Sequence, residues 1–496
     1  MIDNIILGLS TALTLNNLMY SFLGVFIGNL IGVIPGIGAM TAVSMLLPIT
    51  YGIEPAAALM MLAGLYYGTS YGGAITTILL NLPGTASHAV VCIDGHPLAK
   101  SGRAGAAILI AMLASFIGST IGIILMSGFG PVLVNFAFQF GPSEYFTLML
   151  LGLLAASTLT TGSAVKAIAM VIIGVLAGLV GTDVNSGVAR YTFGFIELHD
   201  GLVMVAVAMG LFGISDVLRS AGKNEGTTFS SEGAITWRTL KLKSGEFKDS
   251  LTAILRGAGI GSFFGILPGT GGQLASFMAY AVEKKASKNS KQFGHGAIEG
   301  VASPESANSA AAQTAFIPTL SLGIPGDAIM ALMLGAMMIH NIQPGPQLMI
   351  QHPTVFWGLI ASFWIGNLIL LCLNIPLIGI WVKLLSISYK YIFPSVILFI
   401  CLGAFTANNN IYDVLVVLAI GVFGFVAVSL KFDLSPMLLG LVLGPMLEEN
   451  FRRTMVLAKG DLTIFLTRPI SAFCLIVAFL LVSFAIYRNT VKRNKV

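Results

Sequence analysis

Apolar stretches of about 20 residues, the length that crosses a bilayer as a helix, recur along the whole 496-residue chain. Spans are expected at 104–128, 142–160, 164–182 and 201–218, and again at 354–380, 394–407, 411–430 and 468–488. Residues 5–17 are short and mixed, which suits the membrane interface better than a crossing. Residues 55–80 read as a helix carrying many small and hydroxyl residues and ending at Asn81. Residues 434–448 look like a further short span.

Four of the apolar runs are interrupted by a Pro-Gly pair, and the interruptions repeat. Gly32-Val33-Ile34-Pro35-Gly36-Ile37-Gly38 returns as Gly265-Ile266-Leu267-Pro268-Gly269-Thr270-Gly271, an offset of 268 − 35 = 233, with Gly28 mapping onto Gly261. Pro83-Gly84-Thr85 returns as Pro325-Gly326-Asp327, an offset of 325 − 83 = 242. The difference, 242 − 233 = 9, matches a basic insertion from Glu283 to Lys291. Proline removes a backbone donor and glycine accepts unusual dihedrals, so each pair should break a helix inside its hydrophobic run. Residues 18–48 and 251–282 are therefore expected to form re-entrant hairpins. Non-helical backbone at that depth must be buried in protein or line a cavity, and matching broken segments in two halves point to a transporter binding site.

Composition agrees. Hydrophobic residues make up 56%, charged residues 9%, and mean hydropathy is +0.90, against roughly 45–50% and about 25% in soluble proteins. No cleavable signal pattern is expected at the start. The net charge of +5 gathers in a few loops and reads as topology rather than nucleic-acid binding. Arg219, Lys223, Arg238, Lys241, Lys243 and Lys248 place residues 219–250 in the cytoplasm, and Lys100, Arg103 and Lys166 fall inside with them. The first hairpin has only Asp3 and Glu54 at its ends and should open outward. The second lies between Arg256 and Lys284, Lys285, Lys288 and Lys291, so both its ends should be inside. The expected fold is an all-α polytopic membrane protein of two inverted-topology repeats, 1–218 and 251–496, joined by a cytoplasmic linker, 219–250. It would work as an elevator-type or rocking secondary transporter. Arg452 and Arg453 resist this scheme, since a crossing at 434–448 would leave them outside. Cys92, Cys372, Cys401 and Cys474 lie in apolar runs without ligand spacing and are expected to be buried, unpaired thiols.

The breaks supply the candidate substrate contacts: Pro35, Gly36, Gly38, Asn81, Pro83, Gly84, Thr85, Pro268, Gly269, Thr270, Gly271, Pro325 and Gly326. No lysine or arginine lies in the Pro-Gly segments, so an anionic substrate would be met by backbone N–H groups, hydroxyls and co-bound cations. Thr69, Ser70, Ser306, Asn308, Ser309 and Asp327 are candidates for coupling to a cation or proton. Hydroxyl, amide and freed carbonyl oxygens suit Na+, but no metal site is assigned and the ion stays open between Na+ and H+. The same polar groups also serve ordinary helix packing. Thr85 and Asp327 are good N-cap types, Glu305 suits the first turn of a helix, and His88 and His340 lie near breaks. No catalytic residues or organic cofactor are expected: Walker A and HExxH patterns are missing.

At these positions the sequence resembles the large membrane subunit of the tripartite tricarboxylate transporters, the TctA family. The matching stretches are Gly28–Gly38, Tyr71-Gly72-Gly73 through Thr85, Asp94–Ala99, Glu299–Asn308 and Leu322–Gly326. Gly181-Thr182-Asp183, Arg190–Gly194, Gly210–Gly213, Leu443-Gly444-Pro445 and Glu448-Glu449-Asn450 also match. Asp327 departs from the small hydroxyl residue more usual there. The resemblance implies an ion-gradient-driven carboxylate importer of the bacterial cytoplasmic (inner) membrane, with citrate as type substrate. Implied partners are a small four-helix membrane subunit and a periplasmic (extracytoplasmic) solute-binding protein. An ion channel, an ion-coupled exchanger acting without a binding protein, and a membrane-embedded enzyme are the competing readings.

Overall fold

A computed structural model describes residues 2–34, 37–158, 163–183, 186–221, 235, 239–267, 269–385 and 389–493. The first half runs through α1 (Ile2–Ala12), α2 (Leu15–Val33), α3 (Ala39–Leu46), α4 (Pro55–Leu80), α5 (Cys92–Leu98), α6 (Ala104–Ala137), α7 (Pro142–Thr158), α8 (Ala164–Gly178), α9 (Met204–Ala208) and α10 (Ser215–Ala221). The second runs through α11 (Glu246–Ile266), α12 (Gly271–Ala286), α13 (Glu299–Thr314), α14 (Phe316–Leu322), α15 (Ala328–Ile339), α16 (Leu348–Gln351), α17 (Pro353–Asn374), α18 (Ile378–Leu384), α19 (Tyr389–Asn408), α20 (Ile411–Ser429), α21 (Ser435–Leu457), α22 (Ile464–Thr467) and α23 (Pro469–Arg493). Four described stretches are long and apolar enough to cross a membrane: Leu15–Val33, Cys92–Ala137, Pro353–Leu384 and Ile411–Ser429. This is an all-α membrane protein. Most of the expected linker, 222–234 and 236–238, lies outside the described residues.

The repeat reappears as a repeated contact. Along α2, β-carbons added at Gly24, Gly28 and Gly32 would lie 2.9, 2.8 and 2.7 Å from the α-carbons of Met61, Leu65 and Thr69 on α4. Along α11, the same carbons at Gly257, Gly261 and Gly265 would lie 3.1, 2.6 and 2.7 Å from Ser303, Ala307 and Ala311 on α13. The glycines differ by 233 and their partners by 242 (61 + 242 = 303), the two offsets read from the Pro-Gly breaks. Small residues let two backbones touch where lipid gives no hydrophobic drive between helices.

Several boundaries move. The segment 5–17 divides into α1, packed on α17 with Gly8 against Trp357, and the start of α2. α6 continues through Pro131 to Ala137. α8 stops at Gly178, because Gly181-Thr182 pairs with Ala189-Arg190 in a short antiparallel ladder. The span expected at 201–218 is two short helices around a wider-turned stretch, Met209–Ile214. Among the thiols only Cys474 is buried; Cys372 is exposed.

α21 is one continuous helix reaching Leu457 and packed beside α8, with Gly174 against Met437. Its far end meets Asp183 and Arg190. Arg452 pairs with Asp183 at 2.9 Å and with Glu448 at 2.6 Å, and Arg190 pairs with Glu448 at 2.8 Å. Glu448 lifts the Arg190 guanidinium above its ordinary pKa by accepting its hydrogen bond. Arg452 thus lies on the side where α8 ends, its charge met by two carboxylates. The halves are also stitched by Asp94, whose Oδ1 accepts from the amides of Gly294, Gly296 and Ala297 at 2.8–2.9 Å while Tyr280 donates to Oδ2.

Candidate functional site

A cavity of about 200 Å³ lies where the broken segments of the two halves converge. Its lining carries the repeat: Ala39 and Gly272, and Met40 and Gln273, are related by 233. Tyr66 and Asn308, Thr85 and Asp327, Ala86 and Ala328, and Ser87 and Ile329 are related by 242. Six pairs of equivalent positions therefore face one space. α7 adds Ala156, and the start of α21 adds Ser435, Pro436 and Leu439, with Asp433 just before it. At about 30 Å³ of liquid volume per water, the space equals some seven waters, below the 300–1,000 Å³ of drug-sized pockets. It fits a small ligand.

Four helices begin at this cavity. A helix start presents unpaired N–H groups and a partial positive charge of about +0.5. α15 is capped, Asp327 Oδ1 accepting from the Met330 amide at 2.8 Å, and Asp433 Oδ1 accepts from the Ser435 amide of α21 at 3.0 Å. α3 and α12 are different: their N-cap residues, Gly38 and Thr270, make no side-chain capping bond. The Thr270 hydroxyl turns back to the Phe264 and Leu267 carbonyls. Gly271, at φ +60°, begins α12 beside Asp327. Among the described residues no lysine or arginine lines the space. Asn308 adds an amide nitrogen that is buried and has no hydrogen-bond partner among the described residues. The arrangement offers neutral donors and helix starts to an anion and two carboxylates to a cation.

Of the residues expected from sequence, the cavity gathers Ser70, Thr85, Gly269, Thr270, Gly271, Asn308 and Asp327. Pro35, Gly36 and Pro268 lie outside the described residues. Gly38 is adjacent, at the start of α3. The others do not line the space. Asn81 ends α4 in a left-handed conformation and is exposed, as is Pro83. Gly84 packs on Gly73 and donates to Thr77 Oγ1 at 3.2 Å. Thr69 turns to the Tyr66 carbonyl and Ser306 to the Ile254 carbonyl, each satisfying its hydroxyl within helix packing. Ser309 is buried elsewhere, and so are Pro325 and Gly326. The Gly326 carbonyl nonetheless accepts from the Gly269 amide at 2.8 Å, tying the two breaks of the second half together. Glu305 is not in a first turn: α13 starts at Glu299, so Glu305 sits inside the helix and is buried. His340 caps the far end of α15, whereas His88 bonds Thr85 at 2.7 Å behind the cavity wall.

Tyr66, Gln273, Asp433 and Ser435 were not singled out from sequence. Tyr66, whose hydroxyl lies 3.3 Å from Asp327 Oδ2, was within reach, since the 242 offset pairs it with Asn308. Nothing in the repeat signals the α21 residues.

Comparison with known proteins follows the same lines. The sequence model described as "Tripartite tricarboxylate transporter TctA family" matches residues 18–439. The chain is similar to an "Uncharacterized 52.8 kDa protein in TAR-I ttuC' 3'region" of Agrobacterium vitis, with 45% identity over 497 residues, covering 100% of this chain and 98% of the relative. An "Uncharacterized protein in TAR-II ttuC' 3'region" of the same organism is 54% identical over 212 residues, 43% of this chain and 88% of the relative. No solved structure matches.

Proposed function

The chain belongs to the tripartite tricarboxylate transporter TctA family, and from that premise we propose that it is the large membrane subunit of an ion-gradient-driven importer of small carboxylates. The substrate is citrate-like and is handed over by an extracytoplasmic solute-binding protein, with a small four-helix subunit completing the complex in the bacterial inner membrane. Residues 1–218 and 251–496 act as inverted repeats around the cavity, joined by a cytoplasmic linker at 219–250. The observation that carries the reading is the set of six repeat-related pairs lining one small space beside the starts of α3 and α12, which have no side-chain cap. In broken-helix transporters half-helix starts face the anionic group of the substrate at the repeat interface. The carboxylate lies against the α12 start and Asn308, and Asp327 and Asp433 balance a co-transported cation or proton. Movement of one bundle past the other, by elevator or rocking motion, exposes the site to each side in turn.

Radiolabelled citrate uptake into proteoliposomes tests this. Accumulation above the outside concentration, dependent on an imposed ion gradient and on the binding protein, is the expected result. Flux that only equilibrates, without saturation or any need for the binding protein, would point to a channel and overturn the proposal.

A further inference from the structure

Behind the cavity wall lies an ionisable pair that the substrate site does not use. His88 and Glu305 are 0% and 1% exposed, and His88 Nε2 faces Glu305 Oε1 at 3.6 Å. Both facing atoms lack a hydrogen-bond partner among the described residues. The other ends are held: His88 Nδ1 bonds Thr85 Oγ1 at 2.7 Å, and Glu305 Oε2 accepts from Ser115 Oγ at 3.2 Å. Thr85 lines the cavity and its hydroxyl also bonds Ser87, another lining residue, at 2.8 Å. A line of polar groups therefore runs from the cavity through Thr85 and His88 to Glu305.

We propose that His88 and Glu305 form the binding site of a proton that travels with each transported carboxylate. The proposal rests on the transport reading above and names the ion that reading leaves open. With neutral imidazole and ionised carboxylate the pair bears one negative charge inside the bilayer, which is costly without a partner. One added proton on Oε1 makes the pair neutral overall and lets the carboxyl O–H donate to Nε2 once the two atoms close by roughly 0.6 Å or more. The proton arrives and leaves through Thr85 when the cavity is open to water. Bound together, proton and substrate lower the charge that must cross.

Among the described residues the surroundings supply no competing charged side chain. Tyr71 of α4 is the ionisable group facing Glu305 from that helix, and its hydroxyl donates to Asn367 Oδ1 at 3.1 Å. The Ser70 carbonyl faces the imidazole. Asp94 of α5 is occupied by three amides and Tyr280, and Arg256 of α11 is paired with Glu283 of α12 at 2.6 Å. Among the described residues no cluster of three or more acidic, histidine or cysteine side chains could hold a metal ion instead.

Two measurements test the proposal. Infrared spectra of the purified wild-type protein near neutral pH should show a protonated-carboxyl band that Glu305→Gln removes and His88→Gln shifts. No such band, or one that Glu305→Gln leaves unchanged, overturns the proposal without any appeal to transport. In proteoliposomes loaded with a pH indicator, citrate uptake by the wild type should carry protons inward, and Glu305→Gln should lower pH-gradient-driven accumulation about tenfold or more, as loss of an intramembrane proton carrier requires. If the wild type accumulates citrate on a sodium gradient with no proton movement, the pair is not the coupling site while the transport reading stands. If it accumulates no carboxylate, the transport reading falls and takes the coupling role with it. The wild-type readings decide the matter even where a variant fails to fold.

Discussion

Replacing Gly261 with alanine would place a methyl carbon 2.6 Å from the α-carbon of Ala307. Nonbonded carbons sit at about 3.5–4.0 Å, so α11 and α13 would have to separate by roughly 1 Å over a contact that both halves of the protein repeat. Forcing a methyl into such packing costs about 1–3 kcal/mol. Alanine also recovers the roughly 0.8–1.0 kcal/mol by which glycine weakens a helix interior, so the net is a loss of up to about 2 kcal/mol. Gly259, on the same helix, has open space where its β-carbon would be, and Gly259→Ala should gain up to about 1 kcal/mol from the same propensity. The two substitutions, identical in chemistry and two residues apart, should move the melting temperature of the detergent-purified protein in opposite directions. Gly28→Ala, at the equivalent position with a β-carbon 2.8 Å from Leu65 Cα, should follow Gly261→Ala. A Gly261→Ala protein that melts at or above the wild type, or a Gly259→Ala protein that loses as much, would refute the close-packing argument.

Gly269, at φ +79°, has Ala156 Cα 2.6 Å from its missing β-carbon, so Gly269→Ala should reduce citrate uptake more than tenfold by strain and displacement at the cavity, with membrane insertion unchanged on a blot. Asp327→Asn keeps the α15 cap, since asparagine caps about as well as aspartate; if Asp327 only caps, this variant and Asp327→Thr should both accumulate citrate nearly as wild type while Asp327→Ala loses about 1 kcal/mol of stability. Accumulation lost in Asn and Thr alike, with binding-protein docking intact, would assign the charge to coupling instead. Single cysteines at positions 54 and 453 should react with a membrane-impermeant thiol reagent in intact cells and one at 288 should not: the basic loop puts 288 inside, and 453 follows Arg452 to the side where α8 ends; labelling at 288 would rule out the inverted arrangement.

Several apolar helices and the breaks between them were legible in the sequence because their causes are local. Hydrocarbon thickness sets the length of an apolar run, and proline and glycine act on the backbone where they stand. α4 ends at Leu80 with Asn81 left-handed, as its composition suggested. The offsets 233 and 242, read from the Pro-Gly pairs alone, also relate the close contacts of α2–α4 and α11–α13. The sequence did not determine which polar residue faces the cavity. Thr69 and Ser70 are neighbours of like chemistry and both hydroxyls donate to the Tyr66 carbonyl, yet Ser70 lines the space and Thr69 does not. In a soluble helix a polar stripe marks the water-facing side, but α4 and α6 are apolar nearly all round, and lipid and protein interior make the same demand on them. Helix rotation is then decided by where small residues let partners approach. The same holds for contacts between distant segments. Asp433 and Ser435 reach the cavity only because α21 packs beside α8. Arg452 could be on the side the charge rule disfavours because Asp183 and Glu448 meet it there. His88 and Glu305, each unremarkable in its own stretch, became a pair only when α13 packed against the segment after α4 and left their facing atoms 3.6 Å apart and without other partners.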